Sequence, residues 1–298
     1  MAINTIAIIG TGDMGSAVGR VLREHGLRVI TDLSGRSENS RMLARLAGFE
    51  DLGSLEAVAR EADLVLSILP SAAAEAFAAR MAEALPPGGG PVYADCNAVS
   101  PERVRRIGDV MLRAGAGFAD AGIVGPPPGK STRPPRLYVS GPAADILAVL
   151  DGKGMDVRHM GPQIGRASAM KMSYASLNKG TIALRTAVLM TAQRLGVGAE
   201  LREELRYSQG PTYEHMCRII PYLGAVAARW EGEMHEIEDC YSSMGMTDGF
   251  HSASAWVYGI LAASELGGEK RTEQPDDRDL EEAVEIFLRA APPPRDRG

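Results

Sequence analysis

The sequence predicts an α/β chain in which an N-terminal, doubly wound parallel sheet is followed by an all-helical C-terminal domain. Three observations carry that prediction. The apolar run Ile6-Ala7-Ile8-Ile9, of the kind a strand buried on both faces requires, leads straight into Gly10, Gly12 and Gly15. Strand-like and helix-like segments then alternate over about 120 residues, the rhythm of a parallel sheet with helices on both faces. From Gly165 onward the pattern is helical without strand interruption.

The elements follow in order. A helix starts near Asp13, with Met14, Val18, Val21 and Leu22 on its apolar side. Leu27 to Thr31 read as a second strand, and helical spacing resumes from Ser37 through Ala47. Asp63 to Leu69 form another apolar strand, stopped by Pro70, whose missing N–H cannot continue a central ladder. Pro91 to Asp95 give the next strand, and Ser100-Pro101 the next helix start, an N-cap residue followed by proline. A further strand spans Gly117 to Gly122. The segment from Gly125 to Arg136 is too rich in proline to be regular, and Leu137 to Ser140 resume as a short strand. Helices are expected over 165–195, 200–208, 212–237, 250–266 and 278–290. Two domains result: 1–162, holding a nucleotide, and 163–298, helical and serving substrate and dimerisation. The tail 291–298, Ala-Pro-Pro-Pro-Arg-Asp-Arg-Gly, is expected to be disordered.

Composition narrows the partners. The 298 residues are 45% hydrophobic and 23% charged, with a net charge of −6 and no long block of Lys or Arg, which excludes nucleic acid and an anionic membrane surface. Cys96, Cys217 and Cys240 are odd in number and lack C-x-x-C spacing, so neither a disulfide framework nor a zinc site is expected, and a reducing cytoplasm is the natural location. No run approaches the ~18 apolar residues of a membrane span, and no export signal is visible. Glu233, Glu236, Glu238 and Asp239 do not all share a helical face, so no metal site is assigned to them.

Gly10-Thr11-Gly12-Asp13-Met14-Gly15 has the G-x-G-x-x-G spacing of a dinucleotide grip. Such spacing also occurs in ordinary glycine-rich turns; the strand before it and the amphipathic helix after it select the dinucleotide reading, hence a Rossmann-type domain. Gly10 permits the tight turn, Gly12 lets a pyrophosphate approach the backbone, and Gly15 lets the helix pack closely. The helix N-terminus aims N–H groups and a positive dipole end at the phosphates. At the end of the second strand Asp32 suits the ribose hydroxyls of NAD, whereas Arg36 and Ser37 suit the 2′-phosphate of NADP. Arginine on phosphate forms charge-assisted, often bidentate bonds, and the reading favours NADP (NADPH) over NAD, the alternative being a solvated Arg36 and a Ser37 that merely caps the next helix.

Ligands in open α/β sheets collect beyond the carboxyl ends of the strands. Leu69-Pro70, the segment from Asp95 to Pro101 and that from Asp120 to Gly125 end there. Asn97 can bind substrate or cofactor or cap the following helix; Ser100 can do either, with capping the simpler role. Cys96 reads as a small buried residue. Lys171 lies among small residues at 167–169 and 175–176, and spacing alone leaves it either a surface lysine or a partly desolvated proton carrier.

Together these segments resemble the β-hydroxyacid dehydrogenase and 6-phosphogluconate dehydrogenase superfamily over most of residues 5–180. The motifs are Gly10-Thr-Gly-Asp-Met-Gly15, Asp95-Cys-Asn-Ala-Val-Ser-Pro101, Asp120-Ala-Gly-Ile-Val-Gly-Pro126, and Gly161 to Lys171. The resemblance implies hydride transfer to or from nicotinamide; with the NADP reading of Arg36 and Ser37, the expectation is an NADP-dependent oxidoreductase acting on the carbonyl or alcohol of a small, anionic metabolite. Lys171 would be its general acid and base, and the assembly a homodimer. Four departures stand out. The asparagine expected one helical turn after the lysine is Ala175, with Tyr174 or Asn178 as replacements. The serine-threonine pair is Asn97-Ala98, and the glycine pair is Gly125-Pro126. The helical half, with Ala228 to Glu238, resembles a variant C-terminal domain, whose Trp230, Met234, Tyr241 and Met244 suit either a pocket wall or core. An imine reductase on the same fold and a nucleotide-binding sensor without turnover are the alternatives.

Overall fold

The computed structural model describes residues 3–270, 274, 275 and 277–294. The chain divides into two compact units, Met1–Tyr174 and Ala175–Gly298.

The first unit is a Rossmann-type, eight-stranded sheet. Its strands are β1 (Thr5–Ile9), β2 (Arg28–Thr31), β3 (Glu50–Asp51), β4 (Leu64–Ser67), β5 (Val92–Asp95), β6 (Phe118–Val124), β7 (Arg136–Ser140) and β8 (Asp156–His159). Helices α1 (Asp13–Glu24), α2 (Glu38–Ala47), α3 (Leu55–Glu61), α4 (Ser71–Glu83) and α5 (Pro101–Arg113) connect the first six, and a 3₁₀ turn, Ala144–Leu150, precedes β8. The strand order is β3-β2-β1-β4-β5-β6-β7-β8. All pairings are parallel except β6 with β7, where the proline-rich loop folds the chain back on itself. The order reverses between β1 and β4, which opens a crevice at the carboxyl ends of those two strands.

The period-2 alternation of the strands builds two cores, one on each face. Ile6, Ile8, Leu64, Leu66, Ala94, Ala119 and Ala121 face α1 residues Val18 and Leu22. Ala7, Ile9, Val65, Tyr93 and Phe118 face Phe77, Met81, Val104 and Ile107 of α4 and α5. The short strands β3 and β8, which lack a buried run on both faces, escaped the sequence pattern; β3 is only two exposed residues, Glu50–Asp51.

Helix α6 (Arg166–Arg194) begins in the first unit and continues into the second. The second unit adds α7 (Gly198–Ser208), α8 (Gly210–Ile219), α9 (Gly224–Ser243), α10 (Gly249–Ala263) and α11 (Leu280–Ala290). The single helix expected over 212–237 is two helices, parted by a 3₁₀ turn at Ile220–Tyr222. Pro221 sits in that turn, and proline has neither the N–H nor the room to continue an α-helix. Of the tail expected to be disordered, 291–294 carry no regular element and 295–298 lie outside the described residues. Among the described residues no helix is long and apolar enough to cross a membrane.

Tyr93 is the largest fully buried side chain of the sheet, stacked between Phe77 and Phe118 at ring-centroid distances of 6.5 and 6.2 Å. Among the described residues its hydroxyl meets no partner in hydrogen-bonding geometry, with Ser67 near enough only to oppose part of the effect of burial. Burial therefore pushes the phenol well above its ordinary pKa, with Asp95 adding to the rise. An unpaired buried hydroxyl costs stability rather than supplying it. Tyr93→Phe is accordingly expected to match the wild type or exceed it by up to about 1 kcal/mol in denaturant unfolding; a loss of comparable size would show that the hydroxyl is bonded.

Candidate active site

The crevice between β1 and β4 is lined by backbone that only glycine can provide. Gly10 has φ of +96°, and a Cβ on it would lie 2.1 Å from the Ile68 carbonyl oxygen, so the turn after β1 touches the end of β4. A Cβ on Gly15 would lie 2.0 Å from the Gly10 oxygen, which is how closely α1 returns over its own strand. Gly12, by contrast, has open space where its Cβ would be. It is also the N-cap of α1 and contributes no side-chain cap, so the helix N-terminus keeps its donors for a ligand. Helix α4 starts in the same way after Pro70, again without a side-chain cap. Close packing at Gly10 and Gly15, openness at Gly12 and two uncapped helix starts fit a bound pyrophosphate. Asp13 is exposed and Met14 half-buried at the mouth. The Thr11 hydroxyl is turned away, donating to Ser40 O at 2.9 Å and tying the glycine turn to α2.

At the end of β2, Asp32 is buried and its carboxylate accepts the Ser34 N–H at 2.9 Å. A turn through Gly35 (φ +68°) follows, closed by Arg36 N–H to Leu33 O at 3.1 Å. Ser37 is the N-cap of α2, its hydroxyl accepting the Ser40 N–H at 3.3 Å, so the capping role weighed for it is filled. Arg41, one turn into α2, donates Nε to the Arg36 carbonyl at 3.1 Å. That second guanidinium beside Arg36 was not singled out in the sequence, because it reads as an ordinary helix-face arginine.

Across β4 and β5 a buried polar lattice fixes the strand ends. Asn97 Oδ1 accepts the Leu69 N–H at 2.5 Å, and its Nδ2 donates to Ser67 Oγ at 3.1 Å and to Asp95 Oδ2 at 2.9 Å. The Asn97 N–H donates to Asp95 Oδ1 at 3.0 Å. The amide thus ties the ends of β4 and β5 together and shapes the loop that follows. Ser100 is the N-cap of α5. The geometry leaves the Cys96 carbonyl facing α6, where Lys171 Nζ donates to it at 3.1 Å. The Cys96 thiol itself is buried, and desolvation raises it far above a reactive value.

Asp120 organises the other side. Fully buried on β6, it accepts the N–H groups of Gly165, Ala167 and Ser168 at 2.8, 3.1 and 3.1 Å, and the hydroxyls of Ser140 and Ser168 at 2.8 and 2.7 Å. In the sequence Asp120 stands out only as part of a motif. Its signal was a charged residue inside a continuous strand of apolar and small residues. The structure therefore gathers Gly10 to Gly15, Leu69, Pro70, Asn97 and Lys171 around the carboxyl ends of β1, β4 and β5. Gly125 closes β6 with φ of +125°, exposed. Tyr174, 45% exposed, is one turn after Lys171 on α6, and Asn178 is exposed on the same helix but belongs to the second unit.

In the second unit, Met234 is core and Trp230 packs edge-on against Tyr258 at 5.4 Å, while Met244 is exposed. Tyr241 and His251 both hydrogen-bond Ser176, at 2.8 and 3.1 Å. Glu233 is held by Arg229 and Lys179, and Glu238 by His235 and Ser252.

Burial is the largest influence on Asp95, raising it from 3.8 to about 6; the bonds from Asn97 oppose the rise, Asp120 adds to it and Lys171 opposes it. The native state holds that proton more tightly than the unfolded chain does. Its contribution is therefore full below about pH 4 and is lost as pH rises through about 6. Between those limits the wild type is expected to lose about 3 kcal/mol relative to Asp95→Asn, whose side chain stays neutral. Denaturant titrations of both proteins at pH 4 and pH 7 measure it, and parallel stabilities would refute it.

Residues 5–151 match the family described as the NAD binding domain of 6-phosphogluconate dehydrogenase, and residues 192–260 match a domain of unknown function, DUF1932. One solved structure, of a conserved protein of unknown function described as structurally similar to 3-hydroxyacid dehydrogenases, shares 27% identity, covers 89% of this chain and 99% of its own, and has a TM-score of 0.64. The 3-hydroxyisobutyrate dehydrogenase of Mycobacterium tuberculosis shares 20%, with coverages of 95% and 99% and a TM-score of 0.66. The imine reductase of Myxococcus stipitatus, in complex with NAD+, shares 15%, with coverages of 97% and 100% and a TM-score of 0.56. At those two identities the likeness is one of fold. The chain thus joins an NAD binding domain of the 6-phosphogluconate dehydrogenase family, with a hydroxyacid dehydrogenase-like NAD(P)-binding fold, to a DUF1932 domain.

Proposed function

We propose that the protein is an NADP(H)-dependent oxidoreductase acting on the carbonyl or alcohol of a small, anionic, hydroxy-acid-like metabolite, with Lys171 as general acid and base. The observation that carries the reading is the amine of Lys171, held 3.1 Å from the Cys96 carbonyl at the carboxyl end of β5, two strands from the glycine turn after β1. Bound NADPH supplies the hydride. Lys171, as the ammonium, gives a proton to the substrate oxygen as the C=O bond becomes C–O; in the reverse direction the neutral amine takes the hydroxyl proton. The Cys96 carbonyl holds the amine by accepting from it, and the Asn97 lattice keeps that carbonyl in place. Exposed Lys130 and Arg133, in the loop after β6, supply positive charge for an anionic substrate.

Arg36 supports the NADP reading. It follows the Gly35 turn beyond β2, no partner for its guanidinium is seen among the described residues, and Arg41 adds a second guanidinium at its carbonyl. Asp32, the acid that would serve NAD, is buried and bonded to its own turn. The half-exposed phenol of Tyr174, with Ala175 where the resemblance expects asparagine, favours one second reading, reduction of an imine.

The test of reaction class is a spectrophotometric panel. NADP+ is offered with 3-hydroxyisobutyrate and other short hydroxy acids, and NADPH with the corresponding carbonyls and with cyclic imines. Turnover of imines alone would select the second reading. With the substrate found, Lys171→Ala is expected to lower kcat by about 10²- to 10⁴-fold with NADPH affinity nearly intact; retained turnover would remove the lysine from the mechanism. Arg36→Ala is expected to reduce the preference for NADPH over NADH by about 10- to 100-fold in fluorescence titrations, and an unchanged ratio would mean that Arg36 does not read the phosphate.

A homodimer is part of the same reading. Leu177, Leu184 and Val188, exposed at 74, 64 and 43%, recur at one-face spacing along α6, and Leu195, exposed at 71%, follows its last residue. Light scattering is expected to give twice the chain mass, and Leu177→Glu with Leu184→Glu to give the monomer; a monomeric wild type rejects the dimer.

A further inference from the structure

A carboxylate in the middle of a buried strand demands a physical account. All seven residues of β6 are buried, and Asp120 is 0% exposed. An ion in such a place is tolerable only when paired and hydrogen-bonded. Asp120 is satisfied by five donors, of which three are the backbone N–H groups of Gly165, Ala167 and Ser168. Those are the donors that a helix start leaves without intrahelical partners, and a negative charge there also meets the positive end of the helix dipole. Helix α6 is thus capped from a strand distant in sequence. The Ser140 hydroxyl, from β7, joins in by accepting the Ala167 N–H at 3.0 Å while donating to Asp120.

Two residues further along β6, on the same face as Asp120, is Gly122. A Cβ there would lie 2.9 Å from the Ala167 carbonyl oxygen and 3.1 Å from the Cβ of Lys171. Ala167 and Lys171 are four apart, one above the other on the helix. The strand therefore acts on α6 at two successive points: a charge grips its first turn, and an absent side chain lets the next turn close onto the sheet at the stem of Lys171. Capping alone would need only Asp120. A glycine opposite the lysine stem ties the close approach to the lysine.

We propose that Asp120 and Gly122 are positioning residues for Lys171, a charged grip and a steric allowance that together set where its amine stands over the Cys96 carbonyl. The functional weight of this rests on the reading of Lys171 as the proton-transfer group.

The test does not require the substrate. Full-length wild type, Gly122→Ala and Asp120→Asn are labelled with trace acetic anhydride across a pH series from about 6 to 10, the range below the ordinary lysine pKa. Labelling of Lys171 is read by mass spectrometry against exposed Lys130 in the same chain. Gly122→Ala, which leaves the charge and its donors untouched, is expected to change the Lys171-to-Lys130 ratio by about threefold or more and to move its pH midpoint, with the NADPH Kd within about twofold of wild type. Asp120→Asn keeps an oxygen for the three N–H groups and can turn its amide to the Ser168 hydroxyl. It is expected to shift the ratio in the same direction. An unchanged ratio and midpoint in a Gly122→Ala protein with wild-type circular dichroism overturns the proposal; if that variant does not fold, Asp120→Asn decides by the same readout. A shifted ratio alongside full turnover in Lys171→Ala would uphold the positioning and remove the lysine's catalytic role, so the two failures are distinguishable.

Discussion

The interaction on which the first unit depends is the one between the Asp120 carboxylate and the start of α6. The sheet alone defines where the strands end but not where a lysine on a later helix will stand. Nearly fifty residues separate Asp120 from Ser168, and a proline-rich loop, a strand, a 3₁₀ turn and another strand lie between them. One buried charge spans that gap. It makes each of its bonds against the low dielectric of the interior, where a bonded ion holds strongly and an unbonded one is costly.

The Asn97 lattice plays the corresponding part on the other wall. Its side chain links the ends of β4 and β5 through Leu69, Ser67 and Asp95, so the loop after β5 is rigid where the Cys96 carbonyl is presented. Asp95 bears a cost for this, being buried with the amide donors of Asn97 against it, and its raised pKa expresses that cost. Strained or costly polar groups of this sort commonly gather where a protein must hold a reacting group still. Here both walls converge on one amine.

Much of this was legible from residue order. Buried strands β1, β4 and β5 announced themselves as apolar runs, and the glycine spacing after β1 located the crevice, because steric demands at Gly10 and Gly15 leave no other residue type. Ser100-Pro101 and Ser37 marked their helix starts correctly, since capping is a local interaction. What local order did not show was equally physical. Asn97 at a strand end reads as a ligand contact or a helix cap, whereas its bonds to Ser67 and Leu69, some thirty residues away, follow no local pattern. The expected helix over 212–237 ignored Pro221, whose penalty outweighs the helical pattern around it.

The sequence by itself therefore determined the alternation of elements, the glycine turn and the family, all of which rest on local sterics and periodicity. Tertiary structure alone decided which polar groups are occupied within the chain. It placed Arg41 beside Arg36, turned Thr11 toward Ser40, and set Gly122 against the stem of Lys171. Those outcomes depend on contacts between segments far apart in the chain, and no local pattern encodes a distance across a sheet.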